Sequence, residues 1–244
     1  MGEDDTSRRR PITAAARAML VWTVPMALLL LVPAGLVPGG TWIWPHGLAL
    51  VAGLALVGLT GNLVLARYRP AHFQVRQQSV VAARGRRQPW IDAAGSIALL
   101  VFGGAWLAFI PVDVFRLRLL PAPGPWAVAA GGVAALVGAA LTPLAVWENR
   151  FATPNVQDQT DDGQRVVDTG VYRFVRHPLY LGNLLFYLGA SVWLGSFAAA
   201  VGVIVLLLAT VARIGIEEKD LRTRLPAYAD YARRVRGRLI PFLL

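Results

Sequence analysis

The feature that most constrains the fold is a series of long apolar segments without charged residues. Of the 244 residues, 56% are hydrophobic, and they cluster into blocks long enough for a helix to cross a hydrocarbon layer about 30 Å thick. The chain is therefore predicted to be an all-α, polytopic membrane protein.

Six membrane spans are predicted. The last apolar run, 178–215, is too long for one span at about 1.5 Å per residue, so it is divided at Gly195-Ser196 into the two short arms of a hairpin. The fourth span is rich in small residues (Gly131, Gly132, Ala134, Gly138), which permit close helix contact. The predicted spans are residues 15–37, 43–66, 90–111, 126–147, 178–194 and 197–215.

The distribution of positive charge predicts the orientation. If both termini are cytoplasmic, 22 of the 24 lysines and arginines lie inside, and only Arg116 and Arg118 lie outside, as the positive-inside rule requires. The net charge of +10 is then explained by topology and anionic lipid, and no nucleic acid partner is expected. The excess of arginine over lysine and the simple topology fit a bacterial inner membrane.

Several classes of site are excluded by composition. The chain has no cysteine, which excludes disulfides, thiolate metal sites and cysteine nucleophiles. Its three histidines, at positions 46, 72 and 177, do not have the spacing of metal ligands, so no metal is expected. Neither a P-loop nor a dinucleotide-binding glycine motif is present.

Residues 170–183 form a basic and aromatic stretch that leads directly into an apolar one. Pro178 fits the first position of a helix, and His177 before it is driven to an extended conformation, at the cap. The free N–H groups of residues 179–181 would then form an anion site, and Gly182 would allow a close approach to the first turn. A basic cap that only touches lipid headgroups fits the same pattern.

The hairpin returns Arg213 and Glu217 to the depth of His177. These two residues are four apart, on one face of the same helix. A cation, a carboxylate, an imidazole and a helix N-terminus therefore converge at the cytoplasmic border, a set that suits a zwitterionic cofactor with an amino acid head. The alternative is an Arg213–Glu217 pair that only anchors the helix end.

Three successive motifs near the C-terminus carry a family resemblance. They are Gly170-x-Tyr172-x-x-x-Arg176-His177-Pro178-x-Tyr180-x-Gly182, Glu217-Glu218-x-x-Leu221 and Tyr228-x-x-Tyr231. Over about 148–241 the chain resembles the isoprenylcysteine carboxyl methyltransferases, integral membrane enzymes that use S-adenosylmethionine. The resemblance implies two regions, residues 1–145 with four helices of unassigned function and a catalytic region at 146–244.

The resemblance also implies residue roles. Arg213, Glu217 and His177 are the expected catalytic residues, and Arg213 matches the position associated with the substrate carboxylate. The expected cofactor-binding residues are Gln157, Gln164, Arg165, Val166, Val167, Tyr172, Arg176, His177, Pro178, Leu179, Tyr180, Gly182 and Glu217.

The resulting hypothesis is methyl transfer from S-adenosylmethionine to a lipophilic acceptor that enters sideways from the bilayer. The acceptor is a carboxylate, thiol or amine, with a prenylcysteine-type carboxylate as one candidate. Catalysis would consist of alignment and desolvation.

Two alternatives belong to other classes. An NADPH-dependent membrane reductase is one, since sterol reductases share the Arg-His-Pro-x-Tyr core. The other is a membrane module without enzymatic activity.

Overall fold

The computed structural model describes residues 3–81, 90–152 and 163–240, and no strand occurs in these ranges. They form α1 (Glu3–Leu36), α2 (Pro45–Tyr68), α3 (Pro70–Val81), α4 (Trp90–Val112), α5 (Pro125–Glu148), α6 (Pro178–Trp193), α7 (Phe197–Arg224) and α8 (Tyr228–Arg234), with a π-helical turn at Asp113–Leu117 and a 3-10 turn at Gly170–Arg173. The predicted all-α class is confirmed.

Within the described ranges, five helical stretches are long and apolar enough to cross a membrane. They are Pro11–Leu36, Pro45–Tyr68, Leu100–Leu117, Pro125–Glu148 and Phe197–Arg224. The chain is thus a polytopic integral membrane protein, as predicted, but the predicted span 178–194 is not among these five stretches.

The two arms of the C-terminal hairpin differ in length. The first arm, α6, has 16 residues and is about 24 Å long, which is less than the hydrocarbon core of about 30 Å. The second arm, α7, has 28 residues and is about 42 Å long. The expectation of two short arms is therefore wrong for α7, which extends beyond residue 215 through the charged residues up to Arg224.

The turn between these arms lies where the sequence predicted it. Gly195 adopts a φ of +95°, which favours glycine, and Ser196 caps α7 by accepting a hydrogen bond from the Ala199 N–H at 2.9 Å. The Ser196 hydroxyl also donates to Asp113 Oδ2 at 2.6 Å, and both residues are buried. The hairpin turn is therefore fixed to the π-helical turn that follows α4.

Helices α5 and α6 make the closest helix contact. A Cβ on Gly138 would lie 2.4 Å from the Phe186 nitrogen, and a Cβ on Gly189 would lie 2.6 Å from the Gly131 oxygen. Gly182 faces Gly138 in the same way, so the helices run antiparallel with one pair of glycines in contact at each end. The prediction that the small residues of the fourth span allow close contact is confirmed.

The apolar core joins both arms of the hairpin, α6 and α7, to the N-terminal helices. One buried cluster draws on α1, α2, α4, α5, α6 and α7, and the Trp106 indole N–H donates to the Ala199 carbonyl at 3.2 Å. Its members include Leu30, Leu50, Leu107, Ile110, Ala135, Phe186, Leu194 and Val203.

We predict that stability depends on the close glycine contact between α5 and α6. Gly138→Ala places a methyl group against backbone atoms of α6 that cannot move aside, and we expect a loss of about 1–3 kcal/mol, the usual range for overpacking. Gly202→Ala on α7 is the matched control, because a Cβ there meets no atom within 4 Å. Thermal unfolding in detergent measures both, and equal melting temperatures would contradict the prediction.

Candidate active site

Helix α6 begins where the sequence predicted. Pro178 is its first residue and His177 its N-cap. Two details are wrong: the φ of −124° and ψ of 64° of His177 do not give the extended conformation that was predicted, and the N–H of Leu181 is not free but donates to the His177 carbonyl at 3.1 Å. At most the two preceding N–H groups are left for a ligand.

A buried carboxylate, Glu218 on α7, holds the residues around this cap. Its Oε1 accepts from Arg176 Nε at 2.7 Å and lies 3.2 Å from His177 Nε2, while its Oε2 lies 3.4 Å from Arg238 Nε. Glu218 is 3% exposed and Arg176 is 8% exposed. Buried charges require partners, and each of these two charges is the partner of the other.

Arg176 also fastens the C-terminal segment to the start of α6. Its NH1 donates to the Val235 carbonyl at 2.6 Å and its backbone N–H to the Gly237 carbonyl at 2.9 Å. The backbone N–H of His177 donates to the Arg238 carbonyl at 3.0 Å. The Arg176 side chain is thus engaged by the protein itself, and its predicted contact with a cofactor stays a prediction.

A second polar cluster lies one turn farther along α6. The Tyr180 hydroxyl donates to Glu217 Oε2 at 2.9 Å and accepts from Arg213 Nε at 2.9 Å. All three side chains are half-buried. The predicted convergence of Arg213 and Glu217 with the start of α6 is confirmed, and the tyrosine hydroxyl links the two.

The adjacent glutamates of α7 have different surroundings. Successive helix residues are about 100° apart around the axis, so Glu217 and Glu218 point to different sides. Glu218 is buried among cations, whereas Glu217 is half-buried and bonds to a hydroxyl. Of these two glutamates, only Glu217 was predicted to have a role. The sequence feature that could have identified Glu218 is the Glu217-Glu218 pair, since two successive carboxylates on an apolar helix need separate partners.

Tyr172, in the 3-10 turn, connects this region to the end of α5. It is buried, its hydroxyl lies near the side chain of Asn149, and its carbonyl accepts from the Tyr231 hydroxyl at 2.9 Å. Burial raises the pKa of the Tyr172 hydroxyl, with a smaller contribution of the same sign from Glu217. The hydroxyl is therefore protonated at neutral pH.

A polar cavity of about 350 Å³ opens beside Asn149. This volume lies within the range of small-molecule sites. Two predicted cofactor-binding residues, Arg165 and Val167, lie on its wall, whereas Val166 between them packs against the apolar cluster around Tyr231. The lining residues are His72, Glu148, Asn149, Arg150, Phe151, Gly163, Arg165 and Val167.

The remaining predicted site residues are placed as follows. Pro178 is fully buried, Leu179 and Gln164 are half-buried, and Gln157 lies outside the described residues. The close approach at Gly182 is made by α5, which accounts for a glycine there. For all of these residues, binding of a cofactor stays a prediction. In the part of the chain that the structure describes, no group of three or more His, Asp or Glu side chains could hold a metal ion.

We predict that Glu218 contributes strongly to the free energy of unfolding and that Glu217 contributes little. Glu218→Gln leaves the Arg176 guanidinium buried without a full counter-charge, and we expect a loss of about 3–5 kcal/mol. Glu217→Gln is the isosteric control and should change the free energy of unfolding by less than about 1 kcal/mol. Thermal unfolding without ligand measures both variants. A loss for Glu217→Gln as large as that for Glu218→Gln would refute this division.

Comparison with known proteins identifies one family. The model of the phospholipid methyltransferase family matches residues 126–225, while no curated protein matches the chain. The predicted resemblance to integral membrane methyltransferases is confirmed over this segment, and the match supports a membrane methyltransferase with lipid-related substrates. It begins at the start of α5, before the predicted region boundary at 146, which itself stays a prediction.

Proposed function

We propose that this chain, whose residues 126–225 match the phospholipid methyltransferases, transfers a methyl group from S-adenosylmethionine to a lipid-soluble acceptor. The observation that carries the proposal is the junction of α6 and α7, where Tyr180 bonds to both Arg213 and Glu217. A cation, a hydroxyl and a carboxylate therefore meet at the end of a membrane hairpin, inside the segment that the family match covers.

The side chains fit the proposed cofactor. Glu217 Oε2 is engaged by Tyr180, whereas Oε1 has no hydrogen-bond partner among the described residues. A carboxylate can accept several hydrogen bonds, so Oε1 suits the ammonium group of an amino acid head. The cavity beside Asn149 would receive the nucleoside, and Tyr172 lies between the two, since its hydroxyl is near Asn149 and its pKa is raised in part by the charge of Glu217.

Tyr180, Arg213 and Glu217, the Tyr180 cluster, then each have a role in the proposed reaction. When bound, the cofactor would supply an electrophilic methyl group on a sulfonium for transfer to the acceptor, with S-adenosylhomocysteine as the leaving group. Arg213 places a positive charge beside the acceptor and favours an anionic nucleophile such as a carboxylate. Tyr180 fixes the direction of both charged side chains, which is the alignment on which such a reaction depends. His177, held by Glu218, positions the helix start and takes no part in the bond changes.

The surroundings of the hairpin support a lipophilic acceptor. Ile216, next to Glu217, is 57% exposed and Leu208 is 66% exposed, so α7 presents apolar side chains to the bilayer near the site. An apolar groove of about 610 Å³ lies toward the turn end of the hairpin, with Leu188 and Val192 of α6 and Ile204 of α7 on its wall. A hydrocarbon chain could lie there while its polar end reaches Arg213.

The cofactor assignment is tested by ligand-induced stabilisation. A ligand that binds only the native state raises its apparent stability, so S-adenosylmethionine and S-adenosylhomocysteine should each raise the melting temperature of the purified protein in a saturable way. The shift should be lost in Glu217→Ala. A shift with NADPH alone would replace the proposal by the reductase alternative. No shift with any of these ligands would favour the membrane module.

We predict that Tyr180→Phe impairs turnover without unfolding the protein. The substitution removes hydrogen bonds to two charged groups, each worth about 1.5–3 kcal/mol, so transfer of labelled methyl groups to extracted membrane lipids should fall at least about 10-fold.

Tyr228→Phe is the matched control for this prediction. The Tyr228 hydroxyl is buried without a hydrogen-bond partner among the described residues, so the same substitution there should leave turnover near that of the wild type. Equal losses in the two variants would count against the role of Tyr180.

A further inference from the structure

The polar cavity beside Asn149 is lined by residues from two separate parts of the chain. Most of its lining lies between Glu148 and Val167, but one lining residue, His72, comes from α3. This helix belongs to the N-terminal region, outside the residues that the family model matches. The N-terminal helices therefore reach the place where the nucleoside of the cofactor is proposed to bind.

Helix α3 is docked on the last turn of α5 by successive contacts. The Arg69 guanidinium, just before α3, lies 4.8 Å from the centre of the Trp147 ring, and Phe73 is buried against Val146. Between them, His72 Nδ1 lies 2.9 Å from the Val146 carbonyl oxygen. This carbonyl is one of the last four of α5, which have no partner within the helix. The position of the imidazole ring is thus fixed from several sides.

The bond to Val146 determines the tautomer of His72. A carbonyl oxygen only accepts hydrogen bonds, so Nδ1 must carry the hydrogen, and in the neutral ring Nε2 is then an acceptor. Nε2 has no hydrogen-bond partner among the described residues. A fixed ring on the wall of a polar cavity therefore offers a lone pair, which recognises a hydroxyl or amino group.

We propose that His72 Nε2 accepts a hydrogen bond from the cofactor's nucleoside, so that the N-terminal region forms one wall of the cofactor site. This inference rests on the proposed function. Docking of α3 explains the contact of Nδ1 with Val146, but it does not require the ring to line the cavity. The nucleoside supplies the donors that Nε2 needs, as ribose hydroxyls and an adenine amino group.

Two substitutions of His72 test the roles of its two ring nitrogens separately. In His72→Asn, the amide N–H takes the place of Nδ1–H and keeps the bond to Val146, while the acceptor is lost. In His72→Gln, the longer amide reaches the position of Nε2, while the bond to Val146 is lost. Arg69→Met serves as a control that weakens the docking of α3 without touching the cavity.

Affinity for S-adenosylhomocysteine and for methylthioadenosine, which lacks the amino acid head, is measured by calorimetry alongside melting temperature without ligand. We expect His72→Asn to melt as the wild type does and to bind both ligands about 3- to 10-fold more weakly, the effect of one hydrogen bond. His72→Gln should melt earlier and bind more tightly than His72→Asn. Arg69→Met should melt earlier and bind as the wild type does.

Two results would overturn the inference. Wild-type affinity in His72→Asn would reduce His72 to a docking residue, and the proposed function would still stand, because the wild type binds the ligand. Equal weakening in His72→Asn and Arg69→Met would assign the effect to looser docking. Failure of the wild type itself to bind S-adenosylhomocysteine would instead refute the proposed function.

Discussion

The buried contact between Arg176 and Glu218 is the interaction on which the rest of the C-terminal half depends. It joins the start of α6, the end of α7 and the segment that follows α8, three parts of the chain that no local signal brings together. Neither charge could be buried without the other. The hydrogen bonds from Arg176 to backbone carbonyls extend the contact into a network, in which each bond supports the others. The Tyr180 cluster next to it can therefore be rigid while remaining half-exposed.

The difference between Glu217 and Glu218 shows how one helix turn can hold two carboxylates in different surroundings. A carboxylate whose oxygens are both engaged by cations is a poor ligand for anything else, whereas Glu217 keeps one oxygen without a partner among the described residues. Because neighbouring residues of a helix point in different directions, a pair of glutamates supplies both kinds of group at the same depth. Tyr180 orients the second carboxylate without neutralising it.

The sequence predicted most of what depends on local or periodic signals. Long apolar blocks gave the spans, Gly195-Ser196 gave the hairpin turn, and Pro178 gave the start of α6. The approach of Arg213 and Glu217 to α6 followed from the hairpin. What was missed depends on contacts between distant residues, such as the pairing of Arg176 with the C-terminal segment and the docking of His72 on α5. The length of α7 was underestimated because hydropathy falls where the helix leaves the membrane, although its backbone hydrogen bonds continue.

The unequal arms of the hairpin account for the position of the site. Helix α6 has 16 residues and α7 has 28, so the start of α6 lies beside Arg213 and Glu217, about two to three turns before the end of α7. The glycine contact with α5 holds the short helix close to α5. The end of α5 then brings Asn149 and the cavity to the same level. Under the proposed function, this arrangement would let a water-soluble cofactor enter the site from one side and a lipid acceptor from the other.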